Sequence, residues 1–422
     1  MELHDKTYQE YVKILKDELV PAMGCTEPIA IAYLASYAKK VLGKLPDKVV
    51  IEVSGNVLKN VKSVVVPNTD KMKGIQAACA AGIVCGDANK KLEVISQVED
   101  TKCIAAFMET CPIIIQAAQS NKIFDLLITL YSEKDYVKVR IVDYHTNIVY
   151  VEKNHEVLLD AKVSEDIKKA SYDCLNIEDI FAFVQMVDIK DIQDTLDQQI
   201  KYNMAIAKEG LTNDYGANIG KVLLQAYGQD LNVKVKAYAA AASDARMNGC
   251  EMPVIIASGS GNQGITTSVP VIVWAKEKGY AMDKLYRSLA LSNLVTIHLK
   301  SGIGRLSAFC GAVSAGAGAG AGIAYLESED LVTISHTIVN ALGIISGTIC
   351  DGAKASCAAK IQAAIDAGIT GYYMYINGQE FKDGEGLIVK GVENTINNIA
   401  LLAREGMKET DKEIIKMMVK NC

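Results

Sequence analysis

Three long stretches without a charged side chain constrain the fold of this 422-residue chain more than any other feature. They span residues 252–275, 306–326 and 331–350, and each is long enough to cross a lipid bilayer. Each also carries Gly together with polar residues such as Ser, Thr, Asn or His, and few basic residues flank it. We therefore predict that these stretches form the buried interior of a soluble protein rather than membrane spans.

The two halves of the chain differ in their secondary-structure pattern. Apolar residues recur at helical spacing in 5–19, and a second helix is predicted from Thr26 to Gly43. Residues 48–56 alternate like a strand, and 125–154 are rich in Val, Ile and Tyr between turn signals, which is typical of a strand meander. After about residue 165, strand signals become rare and helices rich in Ala, Gly and Leu dominate.

This pattern predicts an α+β fold, in which a mostly helical catalytic domain is joined to a smaller mixed α/β domain. We assign N-terminal helices carrying the Cys25 loop to residues 1–45, the mixed α/β domain to 46–165 and the helical domain to 166–422. No linker rich in Pro, Gly or Ser separates the domains.

Two further elements are predicted in the helical half. The sequence SAGAGAGAGIAYL at 314–326 favours a helix packed very close to its neighbours, because small side chains allow near backbone contact. Tyr and Ile around Gly-containing turn signals predict a small β-hairpin at 373–390, followed by a last helix from about residue 392.

Charge and cysteine content exclude several classes of protein. The net charge is −6 and basic runs with interleaved aromatics are absent, which argues against a nucleic-acid partner. The charged N-terminus lacks the apolar region of a signal peptide, so a cytoplasmic location is expected. The eleven cysteines are an odd number, so they do not predict a disulfide framework. Six have the apolar or helical context of core residues: Cys79, Cys85, Cys103, Cys111, Cys174 and Cys250.

A glycine-rich loop at 259–264 matches the G-x-G-x-x-G pattern of dinucleotide-binding folds. Asp283 lies near the distance at which such a fold places its ribose-binding carboxylate. Two observations argue against this interpretation. Pro270 falls where the following helix should be uninterrupted, and the loop lies deep in a helical half rather than in an alternating βα pattern.

Two other interpretations of the same loop remain. It resembles the phosphate-binding loop of pyridoxal-dependent dehydratases, although the nearest candidate lysines, Lys59 and Lys62, lie outside the expected motif. Alternatively the loop is a turn that binds a polar ligand such as a carboxylate, since buried polar groups need partners. The polar side chains that would bind this ligand are Ser258, Ser260, Asn262 and Gln263.

Four other cysteines have a context that suggests chemistry. Cys310, Cys350 and Cys357 are surrounded by Gly, Ala and Ser, which let backbone N–H groups approach thiolates, although their spacing matches no zinc motif. Cys25 directly precedes a predicted helix that Thr26 would cap. The helix dipole is expected to lower the pKa of the Cys25 thiol and favour thiolate, an effect that Glu27 opposes.

Five segments, spread over nearly the whole chain, form a recognisable set: PAMGCTEPIAIA, VSGNVLKNVKSVVVPNT, ASGSGNQGITTSVPV, SAFCGAVSAGAG and GTICDGAKASCAAK. Together they resemble the L-cysteine desulfidases, which belong to the iron–sulfur serine dehydratase-like family. The resemblance implies β-elimination of L-cysteine to pyruvate, ammonia and hydrogen sulfide. It also implies a [4Fe–4S] cluster with one open iron, which would act as a Lewis acid on the substrate's sulfur.

The resemblance also implies roles for individual residues. Cys310, Cys350 and Cys357 match the cluster ligands, and Cys25 matches the catalytic cysteine, either as general base or as a displaceable fourth ligand. The C-terminal Cys422 is a possible extra ligand. Besides the loop at 258–264, the candidates for holding the substrate's carboxylate and amine are Ser54, Asn56, Asn68 and Thr69.

Alternatives to this function stay open. An iron–sulfur L-serine dehydratase would use the same elimination chemistry, and the GCTEP segment favours cysteine as the substrate. A pyridoxal-phosphate lyase or a non-catalytic sensor that carries a cluster is a second alternative. A cluster with an open iron is expected to be oxygen-sensitive, and a homodimer is the expected assembly.

Overall fold

A computed structural model describes residues 5–420 except 121, 123, 162–171 and 305–306. The predicted extra ligand Cys422 lies outside these residues. The described chain is mostly helical with a small mixed sheet, which confirms the α+β class. Its buried apolar residues form two large clusters, one around the sheet and one among the later helices.

The α/β part is built on a six-stranded sheet in the order β3-β2-β4-β5-β6-β7, in which only the β2–β3 pair is parallel. Alternate residues of β2, including Val49 and Ile51, point into the core, as the sequence pattern predicts. The strands are β2 (Lys48–Val53), β3 (Ile113–Ala117), β4 (Asp125–Ser132), β5 (Asp135–Val142), β6 (Ile148–Lys153) and β7 (Glu156–Asp160). The predicted strand meander is therefore confirmed.

Four helices share the core of this sheet, and the second helix of the chain is the most buried of them. It ends at Gly43, whose positive φ of 83° suits a residue without a side chain. These helices are α2 (Thr26–Leu42), α3 (Gly55–Val61), α4 (Gly74–Cys85) and α5 (Lys102–Thr110).

The helical part forms a second core. Its helices are α6 (Ile177–Met186), α7 (Ile189–Thr212), α8 (Ile219–Tyr227), α9 (Leu231–Met247), α10 (Gly261–Lys278), α11 (Met282–Ile303), α12 (Gly311–Ser328), α13 (Leu331–Ile345), α14 (Ser356–Ile376), α15 (Val392–Leu401) and α16 (Lys408–Lys420). The uncharged stretches fall mainly in α10, α12 and α13. No helix within the described ranges is both long and apolar enough to cross a membrane.

The two N-terminal helices contribute to different cores. Helix α1 (Asp5–Glu18) packs in the helical core, whereas α2 packs in the α/β core. Between them, β1 (Pro21–Met23) pairs antiparallel with β8 (Pro253–Ile255), which lies just before the glycine-rich loop. The pairing brings the Cys25 segment beside that loop. The domain limits at 45 and 165 stay predictions.

The glycine-rich stretch is helical and closely packed, as predicted. A Cβ at Gly316 would lie 2.3 Å from the carbonyl oxygen of Ala364 in α14. One at Gly318 would lie 2.2 Å from the Thr296 hydroxyl in α11. Glycine therefore lets α12 approach both neighbours to backbone contact, and this packing outweighs the cost of about 1 kcal/mol per helical glycine.

Two predictions about the helical half are wrong. Helix α14 continues to Ile376, and the rest of 373–390 forms turns rather than a hairpin, because packing of α14 overrides the local strand preference. Pro270 lies inside α10 rather than interrupting it. The surrounding helix is buried in the core, which holds it in place despite the lost backbone hydrogen bond.

Candidate active site

A cavity of about 130 Å³ is lined by residues from both cores. It collects side chains from segments that are far apart in sequence, including all four cysteines singled out above: Cys25, Cys310, Cys350 and Cys357. The four polar residues predicted in the glycine-rich loop also line it: Ser258, Ser260, Asn262 and Gln263.

Four helices begin at this cavity. Cys25 is the N-cap of α2, Ser260 of α10 and Cys310 of α12, while Cys357 lies in the first turn of α14. The N-terminus of a helix carries a partial positive charge and unpaired N–H groups. Four such ends around one small cavity favour an anionic ligand.

The chain segments of Cys310 and Cys350 are tied together. The Cys310 N–H donates to the Thr348 carbonyl oxygen at 3.0 Å, and the Cys350 N–H donates to that of Ala308 at 2.6 Å. Between these bonds, Phe309 and Ile349 form an antiparallel bridge. The two thiols are therefore fixed on adjacent backbone segments.

The segment from Cys350 to Cys357 is held by a close approach to α3. Gly352 has a φ of 95°, and a Cβ there would lie 2.4 Å from the Lys59 carbonyl oxygen. Lys360 closes the segment by donating to the Ile349 carbonyl oxygen at 2.9 Å. This segment joins the helical part to the α/β part at the edge of the cavity.

The thiols of Cys310, Cys350 and Cys357 are suited to an iron–sulfur cluster. Burial and, to a smaller extent, the neighbouring Cys350 together raise the pKa of Cys310 to about 12, so metal would be needed to remove the proton. Among described residues, no group of three His, Cys, Asp or Glu is close enough to hold a single metal ion. Three cysteine thiolates are a donor set that an iron–sulfur cluster uses, so the residues at this side of the cavity fit such a cluster.

On the α/β side of the cavity, Cys25 is paired with a buried carboxylate. Its thiol donates to Glu27 Oε2 at 3.0 Å, and Asn60 Nδ2 donates to Oε1 at 2.9 Å. Thr26 Oγ1 connects this side of the cavity to the glycine-rich loop by donating to the Gly259 carbonyl oxygen at 3.2 Å. Cys25 directly precedes the helix, as predicted, but Cys25 itself and not Thr26 is the N-cap residue.

The expected thiolate at Cys25 is not favoured in this geometry. Burial raises the pKa of the Cys25 thiol well above its usual value, and the charge of Glu27 raises it further against the opposing effect of Arg246. Burial also acts to raise the pKa of Glu27, but the nearby His145 and the hydrogen bonds from Cys25 and Asn60 outweigh it and lower that pKa. The resting pair is therefore a thiol that donates to a carboxylate.

Each glycine of the G-x-G-x-x-G loop has a structural reason. Gly259 has a φ of 76°, which favours glycine. A Cβ at Gly261 would lie 2.2 Å from Arg246 Nε, and one at Gly264 would lie 2.0 Å from the Ile255 carbonyl oxygen. The loop follows β8, a three-residue strand in an antiparallel pair, and not a parallel βαβ unit. This geometry does not support the dinucleotide interpretation.

A buried asparagine of α7 fixes the loop from behind. Asn203 Nδ2 donates to the carbonyl oxygens of Ile255 and Gly264 and to Ser268 Oγ, while its Oδ1 accepts from the Ile255 N–H. All four distances are between 2.9 and 3.2 Å. The start of α10 is therefore held rigidly against β8.

The other predicted ligands are not among the residues that line the cavity: Ser54, Asn56, Asn68 and Thr69. Ser54 precedes α3, where Asn56 lies in the first turn. Asn68 Nδ2 donates to the Ile95 carbonyl oxygen at 2.6 Å, and Thr69 Oγ1 donates to that of Val66 at 2.7 Å. The last two side chains therefore stabilise the loop before α4.

Several residues at the cavity were not predicted. Arg246 and Lys300 are buried cations, Asn60 binds Glu27, and His145 packs edge-on against Phe124. Arg246 interrupts an alanine-rich helix, which is the one local signal that could have identified it. Lys59 also lines the cavity, where it forms a buried ion pair with Asp411 of α16 at 2.5 Å. This pairing does not favour the Schiff-base lysine that the pyridoxal interpretation requires.

The chain matches known proteins over most of its length. A family model described as the serine dehydratase alpha chain matches residues 72–416, more than half of the sequence, so the chain belongs to that family. It is 56% identical over 429 residues to a UPF0597 protein of Desulfitobacterium hafniense (strain Y51), covering 100% of this chain and 99% of the relative. A UPF0597 protein of Finegoldia magna is 47% identical over 415 residues, covering 97% and 99%.

Proposed function

We propose that this protein is a lyase that eliminates hydrogen sulfide from L-cysteine and releases pyruvate and ammonia. The observation that carries the proposal is the meeting of Cys25, Cys310, Cys350 and Cys357, from three distant parts of the chain, in one cavity. Membership of a family described as serine dehydratase alpha chains supports a lyase that acts on a small amino acid.

Cys310, Cys350 and Cys357 would hold a [4Fe–4S] cluster, which supports the choice of an elimination reaction. When bound, an iron that lacks a protein ligand supplies Lewis acidity toward the leaving group at the substrate's β-carbon. Burial raises the pKa of Cys310 and Cys357, so metal binding would have to drive their deprotonation, which the partial positive charge of the two helix ends assists.

The α/β side of the cavity would manage the proton. Cys25 and Glu27 hold one acidic proton between them at 3.0 Å, so transfer to Glu27 would leave a thiolate able to accept the substrate's α-proton. Asn60 keeps the Glu27 carboxylate oriented for this transfer. Cys25 could equally shield the open iron until substrate arrives, and the two roles predict different iron binding in a Cys25 variant.

L-Serine is the second candidate substrate, because the matching family model is described as a serine dehydratase. Its hydroxyl group occupies the same position as the thiol of cysteine, so a common site would serve both. An iron that prefers sulfur ligands favours L-cysteine.

The test is anaerobic reconstitution with iron and sulfide, followed by assays with each amino acid. We expect a brown protein with about four irons per chain that releases sulfide and pyruvate from L-cysteine. The ratio of kcat/KM for L-cysteine and L-serine then decides between the substrates. A colourless protein that is active only with pyridoxal phosphate would contradict the proposal, and an iron-containing protein without turnover would favour a sensor.

A further inference from the structure

Arg246 is a buried cation at the cavity that the proposed reaction has not yet used. It is 3% exposed, lies near the end of α9 and lines the cavity together with Glu27 and Asn60. The residues before it in the helix are mostly alanine, and the last turn carries one other charged side chain, that of Asp244. The hydrogen bonds and charges around the guanidinium therefore indicate what it binds.

Most of the hydrogen-bonding capacity of Arg246 is unused. Its Nη1 donates to Asn262 Oδ1 at 3.1 Å, and its buried Nε has no hydrogen-bond partner in the part of the chain that the structure describes. None of the ion pairs found among those residues includes Arg246. The charge of Glu27 acts on Arg246 only from beyond ion-pair distance, and a buried guanidinium with an unfilled donor is costly, which indicates that a further anion completes the site.

The carboxylate nearest in the cavity does not fill this role. Both oxygens of Glu27 accept hydrogen bonds, one from Cys25 at 3.0 Å and the other from Asn60 at 2.9 Å. The guanidinium instead lies against Gly261, at the start of α10, where a Cβ would approach Nε to 2.2 Å. Arg246 and this helix N-terminus present positive charge to the same side of the cavity.

We propose that Arg246 binds the α-carboxylate of a small amino acid in this cavity, with Asn262 orienting the guanidinium. The assignment rests on the proposed function for the identity of the amino acid. A guanidinium can donate two parallel hydrogen bonds to a carboxylate, which fixes both position and orientation. Gly261 would then be required because it leaves room for the guanidinium, which explains the first helical glycine of the G-x-G-x-x-G loop.

The test measures binding of an amino acid that cannot react. L-Alanine keeps the ammonium and carboxylate groups but has no leaving group, and L-alaninamide lacks the carboxylate charge. Isothermal titration calorimetry of the iron-loaded protein under anaerobic conditions should show binding of L-alanine and at least about 30-fold weaker binding of L-alaninamide. Arg246→Gln should weaken L-alanine binding by about 100-fold and should abolish the discrimination between the two ligands.

Arg246→Lys and Arg287→Gln serve as further variants. The lysine keeps the charge but not the paired donors, so an intermediate loss of about tenfold is expected. Arg287 lies on α11, where it pairs with Asp283, and its replacement should leave binding unchanged. If Arg246→Gln does not fold, the lysine variant and the alaninamide comparison in the unaltered protein still test the proposal.

Three outcomes would overturn the assignment. Equal binding of L-alanine and L-alaninamide by the unaltered protein would show that no carboxylate is recognised, and absence of binding for both would do the same. The third outcome is that Arg246→Gln loses iron while its iron-loaded chains retain their affinity for L-alanine. That result would show that Arg246 stabilises the cluster-binding thiolates rather than the carboxylate of an amino acid. Binding that requires Arg246, in a protein that eliminates neither sulfide nor water, would uphold this inference and overturn the proposed function.

Discussion

The two sides of the cavity use cysteine in different ways. On the helical side, Cys310, Cys350 and Cys357 lie half-buried on turns and helix starts, and tight backbone contacts fix their positions. On the α/β side, Cys25 is buried, and its proton is directed to Glu27. The same side chain is thus set up as a metal ligand on one side and as part of a proton pair on the other.

The difference shows that local electrostatics, more than the helix dipole, separates the roles. Cys25 and Cys310 both directly precede a helix, so both experience the same partial positive charge. Burial raises the pKa of both thiols, but of the two only Cys25 has a carboxylate of the described residues within hydrogen-bond distance, and the charge of Glu27 raises its pKa further. The predictions below test this division, from the largest expected effect to the smallest.

Replacing any of the three cysteines on the helical side should abolish both iron binding and turnover. Cys310→Ser, Cys350→Ser and Cys357→Ser should reduce iron from about four per chain to nearly none, because three thiolates are needed to hold the cluster. Cys25→Ser should keep its iron and lose activity if it is the base. Iron content is measured after anaerobic reconstitution, with Cys174→Ser as the control outside the cavity. Iron loss in Cys25→Ser would show that both sides of the cavity provide ligands.

Glu27→Gln should change the reactivity of Cys25 and the rate of turnover in opposite directions. Removing the carboxylate charge lowers the pKa of the Cys25 thiol, so its alkylation by iodoacetamide at pH 8 should become about tenfold faster for each unit of pKa. Turnover should fall by about 100-fold, because the amide cannot accept the proton. Alkylation of Cys25 is followed by mass spectrometry in iron-free protein.

The control for this change is Glu18→Gln, which alters a buried carboxylate near the end of α1, outside the cavity lining. It should affect neither rate. Slower alkylation and slower turnover together in Glu27→Gln would indicate that Glu27 only holds the local structure, and the distinction between the two sides would fail.

The sequence predicted one side of the cavity far better than the other. Cys310, Cys350, Cys357 and the loop at 258–264 lie in continuous motifs, so resemblance alone was enough to group them, and the structure brings them together. Their positions depend on short backbone segments that carry their own glycines.

The α/β side depends on contacts between distant segments, which a single sequence does not reveal. His145 comes from the turn between β5 and β6, and Asn60 comes from α3, yet both approach Glu27. Neither lies in a motif of its own. The polar residues chosen from sequence on this side, such as Asn68 and Thr69, bond to nearby backbone instead, as short polar side chains in loops often do.

Substitutions of two nearby glycines should distinguish an effect on substrate binding from an effect on stability on the helical side. Gly261→Ala would press against the Arg246 guanidinium, so KM should rise about tenfold with a loss of about 1–3 kcal/mol in unfolding free energy. Gly264→Ala would meet the Ile255 carbonyl oxygen at 2.0 Å, which is backbone that cannot move aside. Its main effect should be a larger loss of stability, measured by chemical denaturation. Equal changes of KM and stability in both variants would contradict a specific link between Gly261 and Arg246.

Asp244 should have the smallest effect on substrate binding and turnover, because it is a buried carboxylate of the helical side that is not among the residues lining the cavity. Burial raises its pKa to about 6, although the Gly220 N–H donates to it at 3.1 Å. A raised pKa means that its contribution to stability is complete below about pH 4 and is lost as pH rises through 6. As pH rises from 4 to 7.5, the unfolding free energy of Asp244→Asn should therefore increase by up to about 3 kcal/mol relative to that of the unaltered protein. KM should not change. The exposed Asp283→Asn is the control, and a difference that does not vary with pH would show that Asp244 is compensated in the folded protein.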